Sequence, residues 1–393
     1  MNEWKKYRLD DFAKVIMGLS PSGDTYNKEQ NGMPLLNGPT EFGDTHPNCT
    51  IYTTDSKRVC KAKDLIFCVR GSTTGRMNWA DKPYSLGRGV CSITGIDDLT
   101  TKFLKHLLTA NLEGLLQITS GGTFPNLNKE DINGFTFRAP IGYRKIAQIL
   151  SNYDELIENN FKRIKLLEES ARLTYEEWFL RFRIDGKKLE IDPETDLPFG
   201  WQDVFLTDYI ELLRGVEPGS SKYEEVKTDS NIPFIRVGDL SKRDSDIYVS
   251  KDLTNNKIID KDDILLSLDG SPGMVKFGLS GCYSTGIRKA ISKQTNISSI
   301  FIYNLLNSPY IQGLIEAYAS GATILHAGSS VKKMRFVLPT DEVLDKYNNI
   351  EMKKFQLILN LLEQNNFLRK ARDILLPRLM TGKINIDDLD IAV

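Results

Sequence analysis

The sequence predicts a mixed α+β protein (α/β class) made of two similar halves with an internal pseudo-two-fold repeat. Each half is a globular lobe followed by a long helix, and the two helices form an antiparallel coiled-coil pair. Three observations predict this. The chain repeats itself once at a displacement of about 199, two long stretches carry a seven-residue apolar pattern, and short apolar runs bounded by turn residues lie inside each lobe.

The repeat is the first of these. Trp4, Leu9, Asp11, Gly18 and Pro21 recur as Trp201, Leu206, Asp208, Gly215 and Pro218. Pro34, Asp64, Gly71-Ser72, Tyr84-Ser85 and Gly87 recur as Pro233, Asp263, Gly270-Ser271, Tyr283-Ser284 and Gly286. Ser120-Gly121, Thr123 and Ala171-Arg172 recur as Ser320-Gly321, Thr323 and Ala371-Arg372. Matches that keep one order along a chain indicate duplication, and the slow drift in spacing is what small loop insertions leave behind.

The helices come next. No proline or glycine interrupts Arg144 to Phe182, where Leu150, Ile157, Ile164, Ala171 and Trp178 form one seven-residue series. Ile146, Tyr153, Asn160, Leu167 and Thr174 form another. Such a stretch predicts a rod of about 60 Å that packs along its length on a second helix. The partner is expected from Glu342 to Leu376, with Ile350, Leu357, Gln364 and Ala371 in its seam and Leu361, Leu368 and Leu375 between them. Asn160 and Gln364 are the polar seam residues expected to fix register.

Within the lobes, Asp64–Gly71 and its twin Asp263–Gly270 predict buried strands, and helices are expected at Lys102–Gln117 and Ile300–Tyr318. The acidic stretch Asp185–Trp201 predicts a connector. The expected domains are a lobe at 1–141, a helix at 142–184, a connector at 185–200, a lobe at 201–340, a helix at 341–384 and a tail at 385–393.

Composition sets limits. The net charge of −1 excludes binding of a polyanion by bulk attraction. Residues 1–140 carry 17 basic and 15 acidic side chains, so any anion-binding face must be a local cluster. Five scattered cysteines without a CxxC pair predict free thiols in a reducing cytoplasm. No apolar run reaches membrane-spanning length, so no membrane partner is expected. His46, His106 and His326 lack metal-ligand spacing, and no phosphate loop, dinucleotide fingerprint or amino-methyltransferase tetrad is found, so neither catalysis nor a cofactor or metal site is expected in this chain.

Three stretches carry a family resemblance: the tail Leu375-Leu376-Pro377-Arg378-Leu379-Met380-Thr381-Gly382-Lys383-Ile384, the run Thr119-Ser120-Gly121-Gly122-Thr123-Phe124-Pro125-Asn126-Leu127-Asn128, and the entry Pro198-Phe199-Gly200-Trp201. With the duplicated layout, they make the chain resemble the specificity (S) subunit of type I restriction–modification systems. The resemblance implies two target-recognition domains, each reading one half of a bipartite asymmetric site in double-stranded DNA. The helices would set the gap and dock two methyltransferase (M) subunits, which hold S-adenosylmethionine. A motor–nuclease (R) subunit, using ATP and Mg, would join them. A structural adaptor without DNA is the alternative.

Against that expectation, polar loops after the buried strands are the candidate DNA contacts. In the first lobe these are Arg70, Ser72, Thr73, Thr74 and Arg76; in the second they are Asp269, Ser271 and Lys276. Arginine pairs with guanine O6 and N7, an aspartate accepts from cytosine N4, and hydroxyls hold phosphates. Gly121, Gly122, Thr123 and Asn126, with Ser320 and Thr323, suit phosphate contact or a plain helix cap. Asn37 and Arg236 stand at matching strand ends as base-edge candidates. Trp178, Phe179, Phe182, Leu375 and Leu379 are candidate partner contacts, with helix core as the other reading of the aromatic three.

Overall fold

A computed structural model describes residues 4–43, 45–118, 125–322 and 324–386. Two units emerge: residues 1–159 with 365–393, and residues 160–364.

In the first unit a four-stranded antiparallel sheet has the order Ala13–Met17, Val90–Gly95, Leu65–Cys68, Met77–Trp79. The run Leu65–Cys68 is apolar at every position because both of its faces are covered. Leu65 and Phe67 enter the main core, whereas Ile66 and Cys68 enter a smaller one with Leu36, Tyr84 and Leu86. That smaller core lies under a five-stranded sheet in which Met33–Leu36 runs parallel to Tyr84–Leu86. Trp4–Arg8 pairs with Thr136–Pro140.

The second unit repeats each part. Its sheet has the order Ile210–Arg214, Ile287–Ser292, Ile264–Ser267, Val275–Lys276. Asn231–Ile235 runs parallel to Gly281–Tyr283, and Gln202–Phe205 pairs with Arg335–Leu338. The predicted lobe helices are each broken in two. Asp98–Ala110, capped by Asp97 accepting from the Thr100 N–H at 2.8 Å, gives way to Leu112–Gln117 after Asn111. Ser299–Leu306 gives way to Pro309–Tyr318, where Pro309 lacks the N–H needed to continue.

Gly18 and its twin Gly215 show why the repeat keeps glycine there. A Cβ on Gly18 would lie 2.1 Å from the Gly87 carbonyl oxygen, and one on Gly215 would lie 2.2 Å from that of Tyr283. Both obstacles are backbone. Gly18→Ala is therefore expected to cost about 2 kcal/mol or more in the first unit, read as a lower urea midpoint. A midpoint unchanged from the parent would show that the strand end yields freely.

The first long helix spans Tyr143–Tyr175 and continues as one π-helical turn over Glu176–Leu180. All five members of the expected series Leu150, Ile157, Ile164, Ala171 and Trp178 are buried. The wider turn swings the adjacent Trp178 and Phe179 both inward. The second long helix spans Asp341–Met380, and here the seam differs from expectation. Ile350, Leu357 and Gln364 are exposed; the buried series one position on is Leu344, Glu351, Ile358, Asn365, with Leu379 further along. Apolar periodicity missed it because Glu351 and Asn365 interrupt it.

Within each unit the helix segments run antiparallel. In the first, Arg372 Nη1 donates to Asp154 Oδ1 at 2.6 Å and Asn365 Nδ2 to the Ile157 carbonyl at 3.4 Å. In the second, Lys354 Nζ donates to Ser170 Oγ at 3.0 Å. Each helix closes on a residue with positive φ, Phe182 at +53° and Gly382 at +72°. Each of these meets the repeated tryptophan of its unit, Trp201 against the Phe182 ring at 5.7 Å and Trp4 against Gly382. Between Arg183 and Pro198 the connector folds into two tight hairpins, the first turning on Asp185-Gly186, both left-handed.

Candidate nucleic-acid interface

In the first unit the Arg70–Arg76 loop joins two strands of the main sheet and is tied down at both ends. The Cys68 N–H donates to the Arg76 carbonyl at 2.8 Å, and the Gly75 N–H donates to that of Cys68 at 2.9 Å. Residues 125–128 lie along this loop, because the Leu127 N–H donates to the Val69 carbonyl at 2.9 Å. Two predicted stretches thus come together, with Arg70 opposite Asn126 in an antiparallel bridge. Both side chains are exposed, as are Ser72 and Arg76. Thr73 is half-buried.

Thr74 is a correction. Its hydroxyl is buried and donates to the carbonyls of Gly71 (2.8 Å) and Pro125 (3.0 Å), so it fastens the loop and is not free for a ligand. Asn37 is exposed at its strand end, resting on glycines 87 and 89. Gly121, Gly122, Thr123 and Thr323 lie outside the described residues.

The second unit builds the same frame from other residues. The Ser267 N–H donates to the Met274 carbonyl at 2.9 Å, and the Ala327 N–H donates to that of Leu268 at 2.8 Å. Asp269 stands opposite His326, as Arg70 stands opposite Asn126. The loop is one residue shorter, since Cys68 closes on Arg76 whereas Ser267 closes on Met274. Lys276 consequently falls in the strand beyond the loop, paired with Leu265, and not at the place of Arg76. Ser271 and Ser320 are exposed, and Ser320 exchanges two backbone hydrogen bonds with His326.

Two more expectations are corrected here. The Asp269 carboxylate is only 17 % exposed and already engaged, by His326 Nδ1 at 2.8 Å and Arg288 Nη2 at 3.5 Å, so it is not an open acceptor for a base. The Arg236 guanidinium is held by Asp239, with Nε 3.0 Å from Oδ2 and Nη2 3.3 Å from Oδ1, so its Nε–Nη2 edge is occupied while the side chain stays 42 % exposed. In each case a neighbouring side chain supplies the opposite charge within the same turn or across one strand pair. The residue that sequence reasoning passed over is His326, whose side chain is 61 % exposed on the frame. The signal was there: it stands 200 residues after Asn126.

A family model described as "Type I restriction modification DNA specificity domain" matches residues 1–169 and again residues 198–369. The chain belongs to the type I restriction–modification DNA specificity family. It is 26 % identical over 422 residues to the type I restriction enzyme MjaIX specificity subunit of Methanocaldococcus jannaschii, covering 98 % of this chain and 95 % of that one. It is 22 % identical over 466 residues to the HindI specificity subunit of Haemophilus influenzae, covering 98 % of this chain and all, 100 %, of that one. The fold is also that of a crystal structure of a type I S subunit from M. genitalium, with a TM-score of 0.53, 18 % identity and 96 % of each chain covered.

The other surface of this specificity subunit to consider is the helices. Trp178 and Phe179 are buried among Tyr175, Trp201, Phe301 and Tyr347, and Leu379 is buried beside Leu376 and Met380. They are core, which removes them from the candidate partner surface. Phe182 and Leu375 are half-buried. In the second unit the exposed apolar residues of the long helices are instead Leu166, Leu173 and Leu180, themselves seven apart, with Ile350 and Leu357. Ile350, Leu357 and Gln364 of the expected inner seam therefore face solvent, whereas Leu361 is buried and Leu368, Ala371 and Leu375 are half-buried. Among the described residues no group of three or more His, Cys, Asp or Glu is placed to hold a metal ion, and no helix is long and apolar enough to cross a membrane.

Proposed function

We propose that this chain is the non-catalytic DNA-reading subunit of a type I restriction–modification complex in the cytoplasm. Each specificity domain reads one half of a bipartite, asymmetric site in double-stranded DNA. The observation that carries this reading is one backbone frame built twice with different cross-strand pairs, Arg70 with Asn126 and Asp269 with His326, of which Arg70, Asn126 and His326 are exposed. A repeated frame suits two equivalent duplex surfaces, and unlike side chains suit unlike base edges. Arginine and asparagine are the side chains that grip guanine and adenine by two bonds each.

The second helix exposes Ile350 and Leu357, and the exposed heptad leucines of the first helix are an apolar stripe of the kind that a partner helix covers. We assign it to the two M subunits, which would bring S-adenosylmethionine; R subunits, with ATP and Mg, would add cleavage. The long helices set the unread gap between the half-sites.

The test is methylome sequencing of cells that co-express this chain with its methyltransferase partner. A new methylated-adenine motif split around a fixed gap is the expected result. Association of the two proteins without any motif would favour a structural adaptor. Exchanging residues 70–76 is expected to alter one half-site and spare the other; uniform weakening at all sites would make that loop a phosphate clamp. Removing one heptad from each long helix is expected to change the gap and keep the half-sites, and an unchanged gap would end the ruler assignment.

A further inference from the structure

We infer that His326, oriented by Asp269, reads a base edge in the half-site of the second specificity domain. The inference rests on the reading above, that this domain meets DNA through its frame. His326 occupies the position that Asn126 holds in the first domain, opposite the first residue of the strand-following loop. Its backbone is fixed on both sides. The His326 N–H donates to the Ser320 carbonyl at 2.8 Å, the Ser320 N–H donates back at 3.1 Å, and the Asp269–Gly270 strand pairs along the other edge.

The ring is fixed as well. Asp269 Oδ1 lies 2.8 Å from Nδ1, so Nδ1 carries the proton. Asp269 is itself held, since Arg288 is only 12 % exposed and reaches Oδ2 at 3.5 Å while donating through Nη1 to the Thr285 carbonyl. Among the described residues Nε2 has no partner, and the side chain is 61 % exposed. With Nδ1 turned to Asp269, Nε2 is the ring atom that faces outward, and in the neutral form of the ring its lone pair is the complement of an exocyclic amino group, adenine N6 or cytosine N4, in the major groove. An exposed side chain that served only packing would not need an aspartate to select its tautomer, or a buried arginine to hold the aspartate. His326 is thus a specificity-determining residue, and Asp269 and Arg288 are positioning residues.

The experiment compares methylomes of cells expressing the complex with the parent chain, His326→Ala or Asp269→Asn. The amount of complex recovered serves as the folding control. His326→Ala is expected to relax one base pair of one half-site, with preference there falling about tenfold, while the other half-site stays intact. Asp269→Asn is expected to change the preferred pair at that same position. Arg288 draws the amide oxygen, so the NH2 group faces Nδ1, and Nε2 becomes a donor. Both half-sites unchanged in His326→Ala, or methylation lowered at every site alike, would overturn the inference while the split motif of the parent upheld the DNA-reading function. Relaxation by His326→Ala with no change of letter in Asp269→Asn would remove the role of Asp269. Absence of any split motif with the parent chain would overturn both readings at once.

Discussion

Asp154→Ala is expected to destabilise the first unit by about 3 kcal/mol or more. Asp154 sits on the first long helix, 19 % exposed, and receives a cation from each of two other elements. Lys105 Nζ, from the helix Asp98–Ala110, is 2.5 Å from Oδ2, and Arg372 Nη1, from the second long helix, is 2.6 Å from Oδ1. Burial raises the carboxyl's pKa, but the Lys105 and Arg372 cations outweigh it and hold it below the usual range. One carboxylate therefore ties three helices of the unit together. Removing it leaves two partly buried cations facing each other, which costs far more than the loss of an exposed ion pair. Urea unfolding read by circular dichroism should show the first unit melting early. A drop below about 1 kcal/mol would mean that Lys105 and Arg372 swing out to water freely.

The second large effect is loss of stability in mild acid, and it comes from His106. The ring is 3 % exposed, and its Nε2 has no hydrogen-bond partner among the described residues. Asp154 Oδ2 stands 3.4 Å away, a separation that would pass for an ion pair. Burial dominates, however, and Lys105 and Arg372 already answer the carboxylate, so the pKa is pushed down to about 3. The folded state then keeps the ring neutral while the unfolded chain takes up a proton below about pH 6.5. Protons bound only by the unfolded state lower stability as pH falls, by up to about 1.4 kcal/mol per unit from 6.5 towards 3. Asp154, with its depressed pKa, adds loss in the same direction once pH drops below the unfolded carboxyl value of about 3.9. Urea titrations at pH 7.5, 6 and 5 should show the decline, and His106→Gln should flatten it. An equal slope in that variant would place the acid sensitivity elsewhere.

The duplicated architecture was legible because repetition and periodicity are properties of order along the chain. Gly18 and Gly215, or Trp4 and Trp201, mark equivalent points without any knowledge of contacts. The seam of the second helix was legible only in part, at Leu361. Ile350 and Leu357 make a better apolar series on paper than Leu344, Glu351, Ile358 and Asn365, yet the latter is buried. A helix with two stripes does not say which one its own chain will cover.

The candidate site divides along the same line. Loops after buried strands are visible as turn residues after an apolar run, so Arg70 and Asp269 could be chosen, while Asn126 came with the run that carries the family resemblance. Whether a polar side chain is free or spent depends on residues distant in sequence: Pro125 for Thr74, Arg288 and His326 for Asp269. Arg236 failed more locally, since Asp239 is only three positions away, and an i, i+3 pair could have been suspected.

The interleaving of the two units bears on how the protein is made. The core of the first unit includes Leu376, Leu379, Met380 and Ile386, which follow the whole of the second unit in the chain. On the ribosome, residues 160–364 emerge in full before those side chains do. The usual order, in which the segment synthesised first is the first to fold, is reversed here. The opening 159 residues must wait with part of their apolar interior uncovered, which makes the nascent first unit the stage at which chaperone capture or aggregation competes most strongly with folding.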